Sequence, residues 1–406
     1  MLNFLKKLGP GLLFAGAAIG VSHLVQSTRA GADFGFGLLW ALILVNLFKY
    51  PFFQYGPRYA LATGESLLDG YKKMGKWVLI AYYILTFATM FTIQTAVTVV
   101  TAGLAVNLFG ITTDIVSWSI IITLVCLLIL VIGKYKLLDN LIKFVIIALA
   151  ISTIIAVIIA IPGSESTFDF TQVMPKGSVE IIFLIAFMGW MPAPMDISVW
   201  HSLWAIEKKK SSENYQAKNA LLDFNIGYIG TLILGICFVS LGALVMYNSG
   251  EVFSSGAAAF SEQLINLYTK NLGEAAYIFI AIAAFTTMFS TTITTLDASP
   301  RAMSHASKLL FGRLIKHSFI FWMMVLVLGT IAIFVFFLSE MKLLIEIATI
   351  LSFITAPFYA IANYRLITSK HTPEKSRPSL SMKILSVTGI LFLIAFSIWY
   401  ISTIDF

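Results

Sequence analysis

The sequence predicts an all-α integral membrane protein of 11 transmembrane helices, built as two five-helix units of inverted topology with helices 1 and 6 broken. Three observations predict this. First, 59% of the residues are hydrophobic and only 12% charged, where a soluble domain carries about 25% charged residues. Second, eleven apolar segments alternate with mostly short loops, and the basic residues gather on every second loop. Third, segments 1 and 6, five apart, both carry polar interruptions; a unit with an odd number of helices inverts when repeated.

The segments run Pro10–Gly31, Gly35–Ala60, Trp77–Leu108, Asp114–Gly133, Leu138–Ile161, Val179–Trp204, Ala220–Tyr247, Ala275–Ala298, Ser318–Leu338, Met341–Ile367 and Met382–Ser402. Most approach or exceed the roughly 20 apolar residues that a helix needs to span a bilayer. Lys6/Lys7, Lys72/Lys73/Lys76, Lys134/Lys136, Lys208 to Lys210, Arg301/Lys308/Arg313/Lys316 and Arg365/Lys370/Lys375/Arg377 fall on one side. The opposite loops hold only Lys176, Lys270 and Lys342. The positive-inside rule then puts the N-terminus in the cytoplasm and the C-terminus outside, in the cell (inner) membrane. No loop is large enough for a soluble domain, although Pro162–Ser178, Asn248–Glu274 and Tyr364–Ser381 are longer than the rest. The chain therefore reads as one membrane domain over 1–406, with a first unit at about 8–162, a second at about 177–367 and an additional helix at 382–404. The net charge of +7 says little about nucleic acid in such a chain, where lysine and arginine are mostly topology signals, and no nucleic-acid partner is expected. Cys126 and Cys237 sit in apolar runs, as buried small hydrophobes do.

Segment 1 is interrupted at Gly20-Val21-Ser22-His23 and continues through Gln26, Ser27, Thr28 and Arg29. A helix-weakening glycine, a serine and an ionisable group at membrane depth belong against a cavity or a partner, not against lipid. Segment 6 contains MGWMPAPMDISVWHS, Met188 to Ser202. Pro192 and Pro194 remove two backbone donors and disfavour helix just before them, and Asp196 follows. Two broken helices opposite one another, with carbonyls and half-helix ends exposed, form the substrate site of many secondary transporters. Segment 8 supplies hydroxyls at Thr287, Ser290, Thr291, Thr294 and Thr295, a stripe at helical spacing whose neutral oxygens suit a hard cation.

With these residues in view, the sequence resembles the Nramp family, proton-coupled divalent-metal transporters of the LeuT-type fold. The likeness lies in the opening Gly9–Gly11, the run Ala30–Trp40, the hydroxyl-rich Thr291–Ala298 and Pro357 after Leu351–Ala356. It covers most of the chain and implies the LeuT-type 5+5 fold. The family's metal-binding Asp-Pro-Gly-Asn falls on Gly20 to His23 here, and its Met-Pro-His-Asn falls within Met191-Pro192-Ala193-Pro194-Met195-Asp196. The resemblance is therefore to a branch without the metal motif, similar to Nramp-related bicarbonate transporters.

The expectation is a secondary transporter, sodium-coupled and importing bicarbonate or a similar small anion. Gly20, Val21, Ser22, His23, Gln26, Pro192, Ala193, Pro194 and Met195 would bind the substrate, with His23 as a donor. Sodium would be held by Ser290, Thr291 and Thr294 with carbonyls from Ala17 to Gly20, and Asp196 is the alternative coupling group, for sodium or a proton. The competing expectation is a proton-coupled Mn, Fe or Mg transporter with an altered site at Met191, Met195, Asp196 and His23. A second rival, an intramembrane hydrolase on Ser22, His23 and Asp196, is disfavoured, because adjacent serine and histidine rarely align as nucleophile and base and no water-access motif is readable. No cofactor is expected beyond the coupling ion; the partners are the anion, sodium and the bilayer, and a monomer suffices.

Overall fold

The computed structural model describes residues 9–132, 135–163, 169–211, 217–247, 253–254, 256–273, 277–312, 317–337 and 341–402. Lys6, Lys7, Lys134, Arg313 and Lys316, part of the topology reading, lie outside the described residues. Every element among the described residues is helical. Segment 1 forms α1 (Pro10–Ala18), a π-helix (Val21–Ser27) and α2 (Thr28–Phe34). Segments 2 to 5 form α3 (Leu39–Thr63), α5 (Lys76–Phe109), α6 (Ile115–Ile132) and α7 (Tyr135–Gly163), with the short α4 (Leu67–Met74) between the first two. Segment 6 is split into α8 (Ser178–Trp190) and α9 (Ile197–Ser211). There follow α10 (Ala217–Val245), α11 (Ala257–Leu272), α12 (Tyr277–Phe311), α13 (Ser318–Phe337), α14 (Met341–Thr368) and α15 (Leu380–Ser402).

Each of the eleven apolar segments thus carries a helix or a pair of half-helices. Among the described residues, 8 helices are long and apolar enough to cross a membrane, taking the broken Pro10–Phe34 as one. Ile147–Ile161 and Ser178–Trp190 are shorter apolar helices. One loop reading is corrected: Asn248–Glu274 contains α11, whose Ser261, Glu262, Gln263 and Asn266 dilute the hydropathy that marks a span. The short α4 is amphipathic and begins with a capping box. Ser66 Oγ accepts from Asp69 N at 3.3 Å, and Asp69 Oδ2 accepts from Ser66 N at 2.9 Å.

The core is built around the two broken helices. α10 crosses segment 1 at backbone distance because the contact positions are glycines. A Cβ on Gly227 would stand 2.1 Å from Gly11 O, and one on Gly242 2.1 Å from Thr28 O. Close backbone approach through small residues is how helices associate in lipid, where there is no hydrophobic drive. α12 packs along α5 through buried hydroxyls: Thr295 Oγ1 donates to Gln94 Oε1 at 2.7 Å, and Thr101 and Thr292 hydroxyls meet at 2.8 Å. Interhelical bonds of this kind contribute about 0.6 kcal/mol each in membranes.

Candidate functional site

The first break follows from local chemistry. Ile19 N donates to Ala15 O at 2.7 Å and ends α1, and Gly20 takes φ −144°, ψ −127°. Ser22 Oγ bonds back to Ala18 O at 2.6 Å, so the serine satisfies a carbonyl that the interrupted helix leaves over. At the second break α8 ends at Trp190. Met191-Pro192, a cis peptide, and Pro194 withhold the amides that would continue it, and Ser198 Oγ donates to Met195 O at 2.7 Å as α9 starts.

Between the breaks lies a cavity of about 20 Å³, lined chiefly by Ala17, Val21, Ser22, Pro194, Trp200 and Thr291. A water molecule needs roughly 10–15 Å³ measured this way, so the cavity seats one water-sized group. Of the side chains expected to bind substrate, Val21, Ser22 and Pro194 reach it. Gly20, His23, Gln26, Pro192, Ala193 and Met195 are buried outside its lining. Trp200 was not foreseen. It is fully buried, lines the cavity, and its indole Nε1–H has no acceptor among the described residues.

His23 is committed to the protein. Its Nε2 lies 2.9 Å from Thr231 O on α10, and a carbonyl can only accept, so Nε2 carries the hydrogen. Nδ1 lies 2.7 Å from Ser22 Oγ and 3.1 Å from Ala18 O. The ring braces the first break against α10. Gln26, one helical turn on, keeps both amide atoms buried and without partners.

Of the carbonyls expected on the coupling ion, from Ala17 to Gly20, that of Ile19 meets a segment 8 hydroxyl, and that of Gly16 joins it. Thr291 Oγ1 lies 3.0 Å from Gly16 O and 3.3 Å from Ile19 O, three residues apart on the last turn of α1 and its cap. Ala17 and Gly20 do not provide them. Gly20 matters for what it lacks, since a Cβ there would sit 2.9 Å from Thr291 Oγ1. Thr291 Oγ1 is also 3.2 Å from Thr287 O. One hydroxyl has one proton to give and can serve only one of these three carbonyls at a time. Ser290 Oγ and Thr294 Oγ1, on the same helix, are buried without partners. This oxygen-rich, proton-poor cluster is the chemistry a hard monovalent cation selects.

Asp196 lies apart from both groups. It is 4% exposed, and Oδ1 has no hydrogen-bond partner among the described residues. Met191 points its methyl toward Gly235 on α10, beside the His23 ring, and Met195 is buried in the apolar core. Among the described residues, no three His, Cys, Asp or Glu side chains gather in one place.

Sequence reasoning passed over two buried charges. Lys49 on α3, with no exposed surface, donates to Met188 O at 2.8 Å and Gly189 O at 2.7 Å. Asp223 on α10 accepts from Gly9 N at 3.1 Å and Gly11 N at 2.9 Å, capping α1 where Pro10 offers no donor. A lone ionisable residue inside an apolar segment was the available signal for both. Phe14 of α1 packs on Phe53, Phe224, Tyr228 and His201 with ring centroids 5.2 to 5.8 Å apart.

Residues 11–403 match the family described as natural resistance-associated macrophage protein-like, Nramp. An uncharacterised protein of Pasteurella multocida (strain Pm70) is 37% identical over 405 residues, covering 97% of this chain and 92% of that protein. Among solved structures, a mutant of the Eremococcus coleocola manganese transporter superposes with TM-score 0.75 at 14% identity, covering 98% of this chain and 87% of that one. The nucleobase-cation-symport-1 family transporter Mhp1, closed with bromovinylhydantoin bound, superposes with TM-score 0.55 at 15% identity over 98% and 91% of the two chains. The second likeness extends the fold to the LeuT type with its paired broken helices. The chain belongs to the Nramp family and is a membrane transporter, not an enzyme.

Proposed function

We propose that this transporter carries bicarbonate or a similar small monovalent anion inward together with sodium. The observation that carries the reading is that Trp200, which lines the cavity between the breaks, keeps its buried indole N–H without a partner among the described residues. A buried donor without an acceptor costs about 1–3 kcal/mol, which an accepting ligand recovers. An inward-negative potential opposes anion entry by about 2.3 kcal/mol per charge per 100 mV, and an accompanying sodium cancels that term. The sodium belongs at Gly16 O, Ile19 O, Thr287 O, Ser290 Oγ and Thr291 Oγ1, one helical face from the anion. Because the cavity holds one water-sized group, a three-oxygen anion enters only when a break or the Phe14 cluster opens, which couples loading to the transport movement. The N-terminus faces the cytoplasm in this reading, and the protein sits in the inner membrane.

The test is binding to the purified protein. Bicarbonate should raise the unfolding temperature in sodium and much less in choline, and Trp200→Phe should abolish that rise. A shift by manganese that ignores sodium would replace this reading.

A second reading, proton-coupled transport of a divalent metal, draws on the manganese transporters among the solved relatives and on Asp196, whose buried Oδ1 lacks a partner. It requires Asp196→Asn to abolish manganese binding.

A further inference from the structure

Lys49 has no task in the reading above. Its Nζ, with no exposed surface, donates to the carbonyls of Met188 and Gly189 at 2.8 and 2.7 Å, distances typical of charge-assisted bonds. Those carbonyls belong to the last turn of α8, which stops at Trp190. The open C-terminal end of a half-helix carries the negative end of its dipole, and in transporters with broken helices such ends hold coupling cations. The other half-helix offers the equivalent place. α1 ends at Ala18, and Gly16, two residues before that end as Met188 is before Trp190, turns its carbonyl to the Thr291 oxygen cluster. One end of the pair meets hydroxyls and spare oxygens; the other meets an ammonium.

We propose that the Lys49 ammonium is a resident cation, permanently filling the position at the second break that a diffusible coupling ion would otherwise take. This rests on the sodium-coupled anion reading and adds its stoichiometry. One sodium, at the α1–α12 cluster, travels with each monovalent anion. The lysine charge stays with the protein throughout, so the cycle moves no net charge.

Lys49→Met and Lys49→Gln, purified and reconstituted, test it. Lys49→Met should lose at least about tenfold of uptake in sodium alone, since two carbonyls inside the membrane lose their partner. Millimolar potassium or methylammonium should restore both uptake and unfolding temperature in the two variants, and do nothing for the parent protein. Lys49→Gln keeps the donors without the charge, so it should need the added cation too. Full uptake by Lys49→Gln at the parent's cation dependence would overturn the proposal, because a neutral donor would then suffice. Folded variants that no added cation stabilises would overturn it as well. The thermal arm needs no substrate, so it stands even if the parent protein fails to carry bicarbonate. For the stoichiometry, parent uptake should ignore an imposed valinomycin potential; uptake that follows the potential would refute one sodium per anion.

Discussion

Thr291→Val is the sharpest perturbation of the sodium site. Valine keeps the shape and removes one oxygen. In the structure that oxygen lies 3.0, 3.3 and 3.2 Å from the carbonyls of Gly16, Ile19 and Thr287, so the variant removes the centre of the cluster and leaves the carbonyls in place. Losing one neutral ligand of this kind should cost about 1.4 kcal/mol of sodium affinity, or about tenfold in the sodium concentration that gives half-maximal uptake. Ser290→Ala should act in the same direction, because its buried Oγ bonds to nothing else among the described residues. Folding should survive both changes, since Thr291 makes no side-chain bond that joins helices other than α1 and α12. The assay is uptake into proteoliposomes over a sodium series, with unfolding temperature measured in parallel. Unchanged sodium dependence in both variants, with normal stability, would refute the site and move coupling to Asp196 or to protons.

Trp200→Phe should raise the bicarbonate KM about tenfold or more and leave the sodium requirement alone, as loss of a bond to a charged ligand does; a change in kcat only would place the indole away from the substrate. Asp223→Ala should release the cap of α1, and amide hydrogen exchange over Gly9–Ala18 should accelerate about tenfold, with no change there refuting the cap. Asp69 gives a pH prediction. Burial raises its pKa, but hydrogen bonds from His305, at 3.0 Å, and from Ser66 outweigh that and bring it down to about 2. A depressed folded value stabilises above the unfolded value and is lost as pH falls through the folded one. Its contribution, discounted for solvent screening of this partly exposed pair to about 1 kcal/mol, should therefore be constant above about pH 5 and fade between about pH 4 and 2. The stability gap between the parent protein and Asp69→Asn should be flat from pH 8 to pH 5, and a gap that closes above pH 5 would contradict the bond to His305.

Both breaks were legible in the sequence because local chemistry makes them. Gly20 and Ser22 end one helix, Pro192 and Pro194 the other, and no distant residue is needed. The hydroxyl stripe was legible for the same reason, being periodic along one helix. Partners across the fold were not. Lys49 meets carbonyls 139 and 140 residues away, and Asp223 caps amides more than 200 residues away; nothing near either residue announces its partner. His23 shows the converse error. The residue type suggested a substrate donor, but Thr231 O claims Nε2 and Ser22 with Ala18 surround Nδ1, all contacts that only the assembled fold creates. Of the carbonyls that meet Thr291, Ile19 falls within the stretch expected from Ala17 to Gly20 and Gly16 lies one residue before it.

The central claim is that the site between the breaks accepts an anion with sodium. The measurement that tests it most directly is uptake of labelled bicarbonate and of manganese by the parent protein in proteoliposomes, with and without an inward sodium gradient. The account predicts bicarbonate accumulation that requires the gradient and no manganese accumulation under either condition. Manganese accumulation driven by a proton gradient, with bicarbonate excluded, would contradict it.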